Sequence, residues 1–204
     1  MKKIFINSSI KRIKIKYPEY DEEKLEIIEY GLEALYALIS KTVVIFLVAL
    51  LLGVLREVFL VFIFYGLIRT TAFGMHAKKS SHCYIISIGL FIGMAFLCKY
   101  ISFNPYIKLL ISVLSFITLM IYAPADTYKR PLLNAKKRKI YKIITIINSL
   151  VYLVVIIILR NYSISNYLMV GLLGASLMIH PLTYRVFQLP YNNYKKYGST
   201  AISV

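Results

Sequence analysis

Six separate apolar runs determine what this chain can fold into. They cover residues 34–55, 58–68, 84–98, 109–125, 143–159 and 164–180. Crossing about 30 Å of hydrocarbon takes about 20 helical residues, so runs of this kind favour membrane helices over the core of a soluble enzyme. We predict an all-α, polytopic membrane helical bundle with about six hydrophobic segments. The second run is the shortest, and it either extends, tilts or enters the membrane without crossing it.

The composition agrees with this class and excludes others. Hydrophobic residues make up 59% of the chain, whereas soluble domains are about 45–50% apolar, so a disordered chain is excluded. Two cysteines are too few for a disulfide scaffold. The formal net charge is +16, but no nucleic-acid-binding fold or aromatic motif accompanies the basic residues. We therefore expect no nucleic acid partner.

Lysine and arginine are concentrated in alternate connecting segments. Seven lie before residue 34, three in segment 69–83, seven in segment 126–142 and three after residue 180, whereas the other connections hold one, two and one. The positive-inside rule places the basic segments and both termini in the cytoplasm, and a basic rim of this kind explains most of the charge. One cluster is also suited to binding anionic lipid or an acidic peptide; it consists of Lys136, Lys137, Arg138 and Lys139.

Residues 1–33 form a polar arm before the first apolar run. Seven acidic residues lie between positions 19 and 33, and Leu25, Ile28 and Leu32 recur at helical spacing after Pro18. This pattern predicts an N-terminal amphipathic helix that lies on the cytoplasmic face and leads into the first span. We expect three parts: a cytoplasmic arm at 1–33, a membrane-embedded domain at 34–180 and a cytoplasmic tail at 181–204. The polar start predicts no cleavable signal peptide.

Segment 69–83 is the part of the sequence best suited to covalent chemistry, because it holds two of the three histidines and one of the two cysteines. A cysteine nucleophile needs a nearby base or cation that keeps it as a thiolate. His82 adjoins Cys83, but neighbouring residues on a helix point apart. His76 lies seven residues before Cys83, which on one straight helix is about 10.5 Å along the axis and too far for a hydrogen bond.

A pair of Cys83 and His76 therefore requires the chain to bend between them. Gly74 and the serines at 80 and 81 permit such a bend, and Ser80 is suited to cap a helix that begins there. Cys83 would then lie in the first helical turn, where the helix dipole favours a thiolate. Two alternatives stay open: a packing role for Cys83, and a metal site formed by both histidines, Cys83 and His180. The spacing matches no standard zinc pattern, so we expect no metal and no other cofactor.

Two charged residues flank this segment in the predicted topology. Arg69 ends the second run, either as a snorkelling side chain at the end of a span or as a cation that holds a substrate carboxylate or an oxyanion. Asp126 follows the fourth run and is the only acidic residue after Glu57. It either ends the helix in a turn or orients His76, as an acid does in a catalytic triad.

The same segment is similar to the signature of a known family, the accessory gene regulator B (AgrB) family. The similarity comprises the seven-residue spacing from His76 to Cys83, the glycine two residues before the histidine, the alanine after it and the upstream Arg69. It extends to the chain length, the multiple spans, a basic loop and a Pro-Ala-Asp segment followed by basic residues. Members of the AgrB family are bacterial membrane cysteine endopeptidases that process quorum-sensing pro-peptides.

The resemblance implies a role for each matching position. Cys83 corresponds to the nucleophile and His76 to its base, while Arg69 and Gly74 also match. Family members cleave the C-terminal part from a small AgrD-like precursor and form an acyl-enzyme thioester. An internal cysteine of the peptide then captures the acyl group as a cyclic thiolactone, and some relatives use a serine and give a lactone. The resemblance further implies a homodimer in the bacterial cell membrane, and the charge distribution predicts that its active site faces the cytoplasm.

Two other functions remain compatible with the residues alone. A small transporter or permease would use Lys41, Arg69 and the histidines to line a pathway, because intramembrane charges usually serve one. A non-catalytic membrane scaffold would bind a partner through the amphipathic N-terminal helix. Transport would survive loss of the Cys83 thiol, whereas peptide cleavage would not.

Overall fold

A computed structural model describes residues 2–75, 80–127 and 131–195 of the chain. These ranges contain helices and no β-strand, which confirms the predicted all-α class. The helices are α1 (Lys2–Lys16), α2 (Glu22–Leu51), α3 (Leu55–Ala72), α4 (Ser80–Tyr100), α5 (Pro105–Tyr122), α6 (Ala135–Ile158), α7 (Ile164–Ile179) and α8 (Pro181–Val186).

Each of the six apolar runs forms one helix, from α2 to α7. Among the described residues, α2, α4, α5 and α6 are long and apolar enough to cross a membrane, and α7 is a shorter apolar helix. The second run extends at both ends into the 18 residues of α3, a length of about 27 Å. The chain is therefore a multi-pass membrane protein, as the hydropathy predicted.

The ends of α2 differ from the predicted ones for local reasons. The helix begins at Glu22 rather than at Pro18, because the Asp21 carboxylate accepts a hydrogen bond from the backbone N–H of Lys24 at 2.8 Å and caps the first turn. The helix ends at Leu51, before the end of the apolar run. Gly53 follows with a φ of +66°, a conformation that glycine adopts without strain, and it turns the chain into α3.

The helices fall into two compact units, one up to Val48 and one from Ala49 onward. The first unit contains α1 and most of α2, and its Phe5 and Tyr36 rings lie 5.9 Å apart. The division into an arm, a membrane domain and a tail at residues 33 and 180 rests on charge and hydropathy, and it stays a prediction.

In the second unit, α7 is the central helix and packs against α3, α4, α5 and α6. Most of its residues are buried. Gly171 lets α7 approach α3 closely, because a Cβ at this position would lie 3.0 Å from backbone atoms of both Phe64 and Tyr65. Small residues allow such close backbone approach in membrane helix pairs.

A buried lysine fixes the turn between α6 and α7. Lys108 is 4% exposed, and its ammonium donates hydrogen bonds to the Arg160 carbonyl at 2.7 Å and to the Ser165 hydroxyl at 2.9 Å. A buried charge is tolerated where its donors are used in this way. These side-chain hydrogen bonds join the first turn of α5 to the turn between α6 and α7.

Candidate functional site

The segment that follows α3 lies beside the segment that follows α5. Phe73 has a φ of +54° and Gly74 a φ of +118°, so the chain leaves the helix abruptly. Phe73 and Ala125 form a parallel bridge. The Gly74 N–H donates to the Ala125 carbonyl at 2.8 Å, and the Ala125 N–H donates to the Ala72 carbonyl at 3.0 Å. We call residues 73–75 the site strip, because they lead directly into His76.

Both backbone polar groups of Met75 are held by other elements. Its N–H donates to the carbonyl of Met178, near the end of α7, at 3.0 Å. Its carbonyl accepts a hydrogen bond from Nη2 of Arg69 at 2.8 Å. Met75 is also buried. The chain is therefore fixed by α3 and α7 immediately before His76, which itself lies outside the described residues.

Gly74 fits this arrangement because it has no side chain. A Cβ at this position would overlap Nη1 of Arg69 and would lie 2.7 Å from the Met178 carbonyl oxygen. The positive φ also favours glycine. Nη1 of Arg69 is buried, and it has no hydrogen-bond acceptor in the part of the chain that the structure describes. The guanidinium thus uses one nitrogen to hold Met75 and keeps the other beside Gly74.

Cys83 lies in the first turn of α4, at the position that the sequence predicted. It is the fourth residue of that helix and is half-buried, whereas His82 is exposed. The helix begins at Ser80, and the side chain of Ser80 lies outside the described residues, as does His76. The pairing of Cys83 with His76 and the capping role of Ser80 therefore stay predictions.

Asp126 is buried and faces α8 and the residues that follow it, 187–195, which we call the C-terminal segment. Its Oδ1 accepts from the Asn193 N–H at 2.9 Å, its Oδ2 accepts from the Tyr194 N–H at 2.7 Å, and its backbone carbonyl accepts from the Tyr184 hydroxyl at 2.9 Å. Burial raises the pKa of Tyr184 above its ordinary value, so the hydroxyl keeps the proton that it donates. The orientation of His76 by Asp126 stays a prediction.

The sequence reasoning missed these three partners of Asp126. One signal was present, because Asp126 is the only acidic residue after Glu57. A carboxylate that is buried in the fold needs hydrogen-bond donors. Nothing in the sequence said where those donors lie. They come from residues 58 to 68 positions further along the chain.

The predicted cluster of basic residues forms the first turn of α6, and we call it the basic turn. Asn134 caps this turn by accepting from the Lys137 N–H at 3.0 Å. The three lysines are exposed. Arg138 is half-buried, donates to the Leu132 carbonyl at 3.2 Å and places its guanidinium 3.9 Å from the centre of the Tyr194 ring. The lysines are thus open to a partner, while Arg138 is used within the chain.

His180 has a local structural role in the described part of the chain. Its Nδ1 accepts from the Leu182 N–H at 3.2 Å and caps α8, and its ring lies edge-on to Tyr122 at 5.1 Å. Residues 2–75, 80–127 and 131–195 contain no group of three or more histidine, cysteine, aspartate or glutamate side chains that could hold a metal ion. His180 is therefore not placed as a fourth metal ligand by any described contact.

Comparison with known proteins finds relatives that are similar over most of the chain. The chain is 31% identical over 180 residues to a putative AgrB-like protein of Clostridium acetobutylicum, a match that covers 87% of this chain and 86% of the relative. It is 31% identical over 177 residues to a putative AgrB-like protein of Listeria innocua, with 87% of each chain covered. It is 30% identical over 156 residues to the accessory gene regulator protein B of Staphylococcus aureus, with 76% and 82% covered.

No solved structure matches the chain significantly. The model of one protein family, Accessory gene regulator B, matches residues 6–182. That match covers most of the chain and includes α3, the site strip, α4 and the basic turn. The chain therefore belongs to the accessory gene regulator B family.

Proposed function

We propose that this protein is a membrane cysteine endopeptidase of an accessory gene regulator quorum-sensing system. Its substrate is a small AgrD-like precursor peptide, and its product is a cyclic autoinducing peptide. The observation that carries the proposal is the fixing of Met75 by Arg69 and Met178, immediately before a histidine that lies seven residues ahead of a cysteine in a helical first turn. This arrangement, together with membership of the family, supports a Cys83–His76 pair.

The first chemical step is acyl transfer from the precursor to the enzyme. The Cys83 thiolate attacks the scissile carbonyl, and the resulting oxyanion collapses with cleavage of the C–N bond. The His76 imidazolium gives its proton to the leaving amine, so the C-terminal part of the precursor departs as a neutral amine. The N-terminal part remains as a thioester on Cys83.

The second step closes the ring. The thiol of an internal cysteine of the peptide loses its proton to His76 and attacks the thioester, which forms a thiolactone and releases the Cys83 thiolate. This exchange replaces one thioester by another, so it is nearly balanced in energy. Holding the peptide thiol close supplies effective molarity, and exclusion of water slows the competing hydrolysis. A serine in the peptide would give a lactone by the same route.

Arg69 and Gly74 act together in this proposal. Nη2 of Arg69 holds the Met75 carbonyl, and Gly74 leaves the space in which Nη1 lies. Nη1 is buried and has no acceptor among the described residues, and a guanidinium N–H is the kind of donor that binds an oxyanion or a carboxylate. We assign Arg69 to positioning the site strip, with Nη1 as the donor that the substrate would complete.

The exposed lysines of the basic turn are suited to an acidic part of the precursor. The N-terminus of a helix already carries partial positive charge, and the exposed lysines of the basic turn raise the local potential further. An acidic peptide segment, or the headgroup of an anionic lipid, would relieve the repulsion among them. Attraction of this kind acts over about 10 Å at 0.1 M salt and speeds encounter rather than fixing register.

The charge distribution supports the orientation in which the site faces the cytoplasm. The site strip, the basic turn and the C-terminal segment belong to the basic alternate segments, and these stay on the cytoplasmic side of the bacterial cell membrane by the positive-inside rule. A homodimer and bound anionic lipid complete the proposal; the homodimer rests on the family resemblance, and the lipid rests on the charge of the basic turn.

The experiment that tests the proposal measures release of the C-terminal fragment from the precursor by purified protein in vesicles. We expect Cys83→Ala and His76→Ala to abolish release. Cys98→Ala is the matched control, because Cys98 lies on the same helix and is buried, and it should retain activity. His82→Ala separates the two histidines, and we expect it to cleave. Cleavage by Cys83→Ala at the wild-type rate would rule out the proposed nucleophile.

A further inference from the structure

The C-terminal segment is hydrogen-bonded to segment 123–127, and that segment also supports the site strip. Asp126 is 4% exposed and Asn193 is 2% exposed, and two backbone N–H groups of the C-terminal segment donate to the Asp126 carboxylate. Carboxylates that accept backbone N–H groups make strong, charge-assisted hydrogen bonds. The family match ends at residue 182, so all three partners of Asp126 lie beyond it.

Asp126 is linked to the site strip through the residue before it, Ala125. The neighbouring Ala125 donates to the Ala72 carbonyl and accepts from the Gly74 N–H. Met75 then donates to Met178, and α7 continues through His180 into α8, which carries Tyr184. The contacts therefore form a closed ring around the end of the bundle: site strip, segment 123–127, C-terminal segment, α8 and the end of α7.

A second contact joins this closed set of segments to the basic turn. The Arg138 guanidinium lies 3.9 Å from the centre of the Tyr194 ring, which is within the range of a cation–π interaction. The Tyr184 and Tyr191 rings also lie edge-on at 5.0 Å. Burial raises the pKa of Tyr191 to about 12, so it stays neutral in this contact. The segment is thus fastened at several points rather than by one bond.

We infer that residues 184–194 form a clasp that holds Asp126 and thereby positions the site strip and the histidine that follows it. Asp126, Tyr184 and Asn193 are positioning residues in this assignment, and none of them needs to touch the peptide. The inference rests on the proposed function, because it concerns the geometry of the Cys83–His76 pair. It gives the C-terminal segment beyond the family match a part in catalysis.

The clasp makes a graded prediction for four variants. Asp126→Ala removes both acceptors, Asp126→Asn keeps one, and Tyr184→Phe removes only the hydroxyl donor. A shift of about 1 Å in a reacting group costs about 100-fold in rate, so we expect kcat to fall about 100-fold in Asp126→Ala and about 10-fold in the two milder variants, with KM unchanged. Tyr106→Phe is the matched control, because Tyr106 is 79% exposed in the first turn of α5.

A readout without the precursor separates positioning from plain stability. The rate of Cys83 alkylation by iodoacetamide is measured at pH 6 and at pH 9 in the full chain in vesicles. Every protein compared, wild type included, carries Cys98→Ala so that only Cys83 can react. In wild type the ratio of the two rates reports activation of the thiol by His76, and His76→Ala gives the ratio without it. We expect the ratio in Asp126→Ala to approach that of His76→Ala, and the ratio in Tyr106→Phe to equal that of wild type.

The double variant Tyr184→Phe/Asp126→Ala tests whether the contacts act as one unit. Once Asp126→Ala has released the clasp, loss of the Tyr184 hydroxyl should cost less than threefold more, because coupled groups are non-additive. An unchanged alkylation ratio and kcat in Asp126→Ala, with or without a lower melting temperature, would overturn the clasp. If Asp126→Ala does not fold, Asp126→Asn and Tyr184→Phe decide the question. A wild-type ratio equal to that of His76→Ala would instead overturn the proposed function.

Discussion

Replacement of Gly74 by alanine tests the geometry of the site strip directly. The added Cβ would lie 2.7 Å from the Met178 carbonyl oxygen and would overlap the Arg69 guanidinium. The arginine side chain can swing away, but it then loses its hydrogen bond to the Met75 carbonyl. The Met178 carbonyl is backbone at the end of α7 and cannot move without disturbing that helix.

The magnitude follows from two costs. A non-glycine residue in a sparsely populated backbone region costs about 1–3 kcal/mol, and a hydrogen bond to a charged group contributes about 1.5–3 kcal/mol. The native strip is therefore disfavoured by at least about 2.5 kcal/mol, and at about 1.36 kcal/mol for each tenfold in rate this predicts a loss of at least about 70-fold in activity. The same cost weakens the folded state, so we also expect the melting temperature to fall by a few degrees.

The assay is the initial rate of C-terminal fragment release at saturating precursor, with the melting temperature measured on the same preparation. Gly66→Ala is the matched control, because Gly66 lies on α3 and an added Cβ there meets no atom within 4 Å. We expect the control to stay within twofold of wild type. If Gly74→Ala cleaves within threefold of wild type, the close approach of Gly74, Arg69 and Met178 does not matter for activity, and the reasoning is wrong.

Three further outcomes follow from the structure. Changing the three exposed lysines of the basic turn to glutamine should raise KM for an acidic precursor severalfold at low salt and much less at 0.5 M salt, and an equal KM at low salt would exclude electrostatic attraction. Gly171→Ala should lower the unfolding free energy by about 1–3 kcal/mol through overpacking against α3. Gly89→Ala should leave it unchanged, because an added Cβ there meets nothing within 4 Å. Thermal melts in detergent compare the two variants. Lys108→Met should destabilise by about 1–3 kcal/mol, because the Arg160 carbonyl and Ser165 hydroxyl lose their buried donor, and unchanged melting would contradict this.

Most of the helices from α2 to α7 could be predicted from hydropathy, because each of them contains a long apolar run. The six runs mark α2 to α7 correctly, and the second run becomes a full-length helix at Leu55–Ala72. The ends were harder to place. The end of α2 depends on Gly53 at positive φ, and its beginning depends on the Asp21 cap. A hydropathy profile shows neither the backbone conformation nor the hydrogen bond.

Part of the candidate site could be predicted where the relevant residues are close in sequence. Arg69, Gly74 and Cys83 lie within fifteen residues, and the position of Cys83 in the first turn of α4 follows from that local pattern, whereas its pairing with His76 stays a prediction. The contacts of Asp126 could not be predicted in this way. They join residues that are 58 to 68 positions apart, so they depend on how α5, α7 and α8 pack rather than on any local pattern.

The role of Arg138 illustrates the same limit. Its sequence neighbours are lysines, and the pattern assigns all four residues of the basic turn to one surface. The structure separates Arg138 from them, since it contacts Leu132 and the Tyr194 ring. A charge pattern identifies a basic region, whereas the partner of each charge is set by tertiary packing.

The most direct test of the central claim is the intact mass of the protein after reaction with a precursor whose internal cysteine or serine is replaced by alanine. Such a peptide can form the acyl-enzyme but cannot close the ring, so the thioester accumulates. We predict a mass increase equal to the N-terminal part of the precursor, removal of that mass by hydroxylamine, retention of the adduct in Cys98→Ala and its absence in Cys83→Ala. Release of the C-terminal fragment without any adduct, or an adduct that persists in Cys83→Ala, would contradict the account.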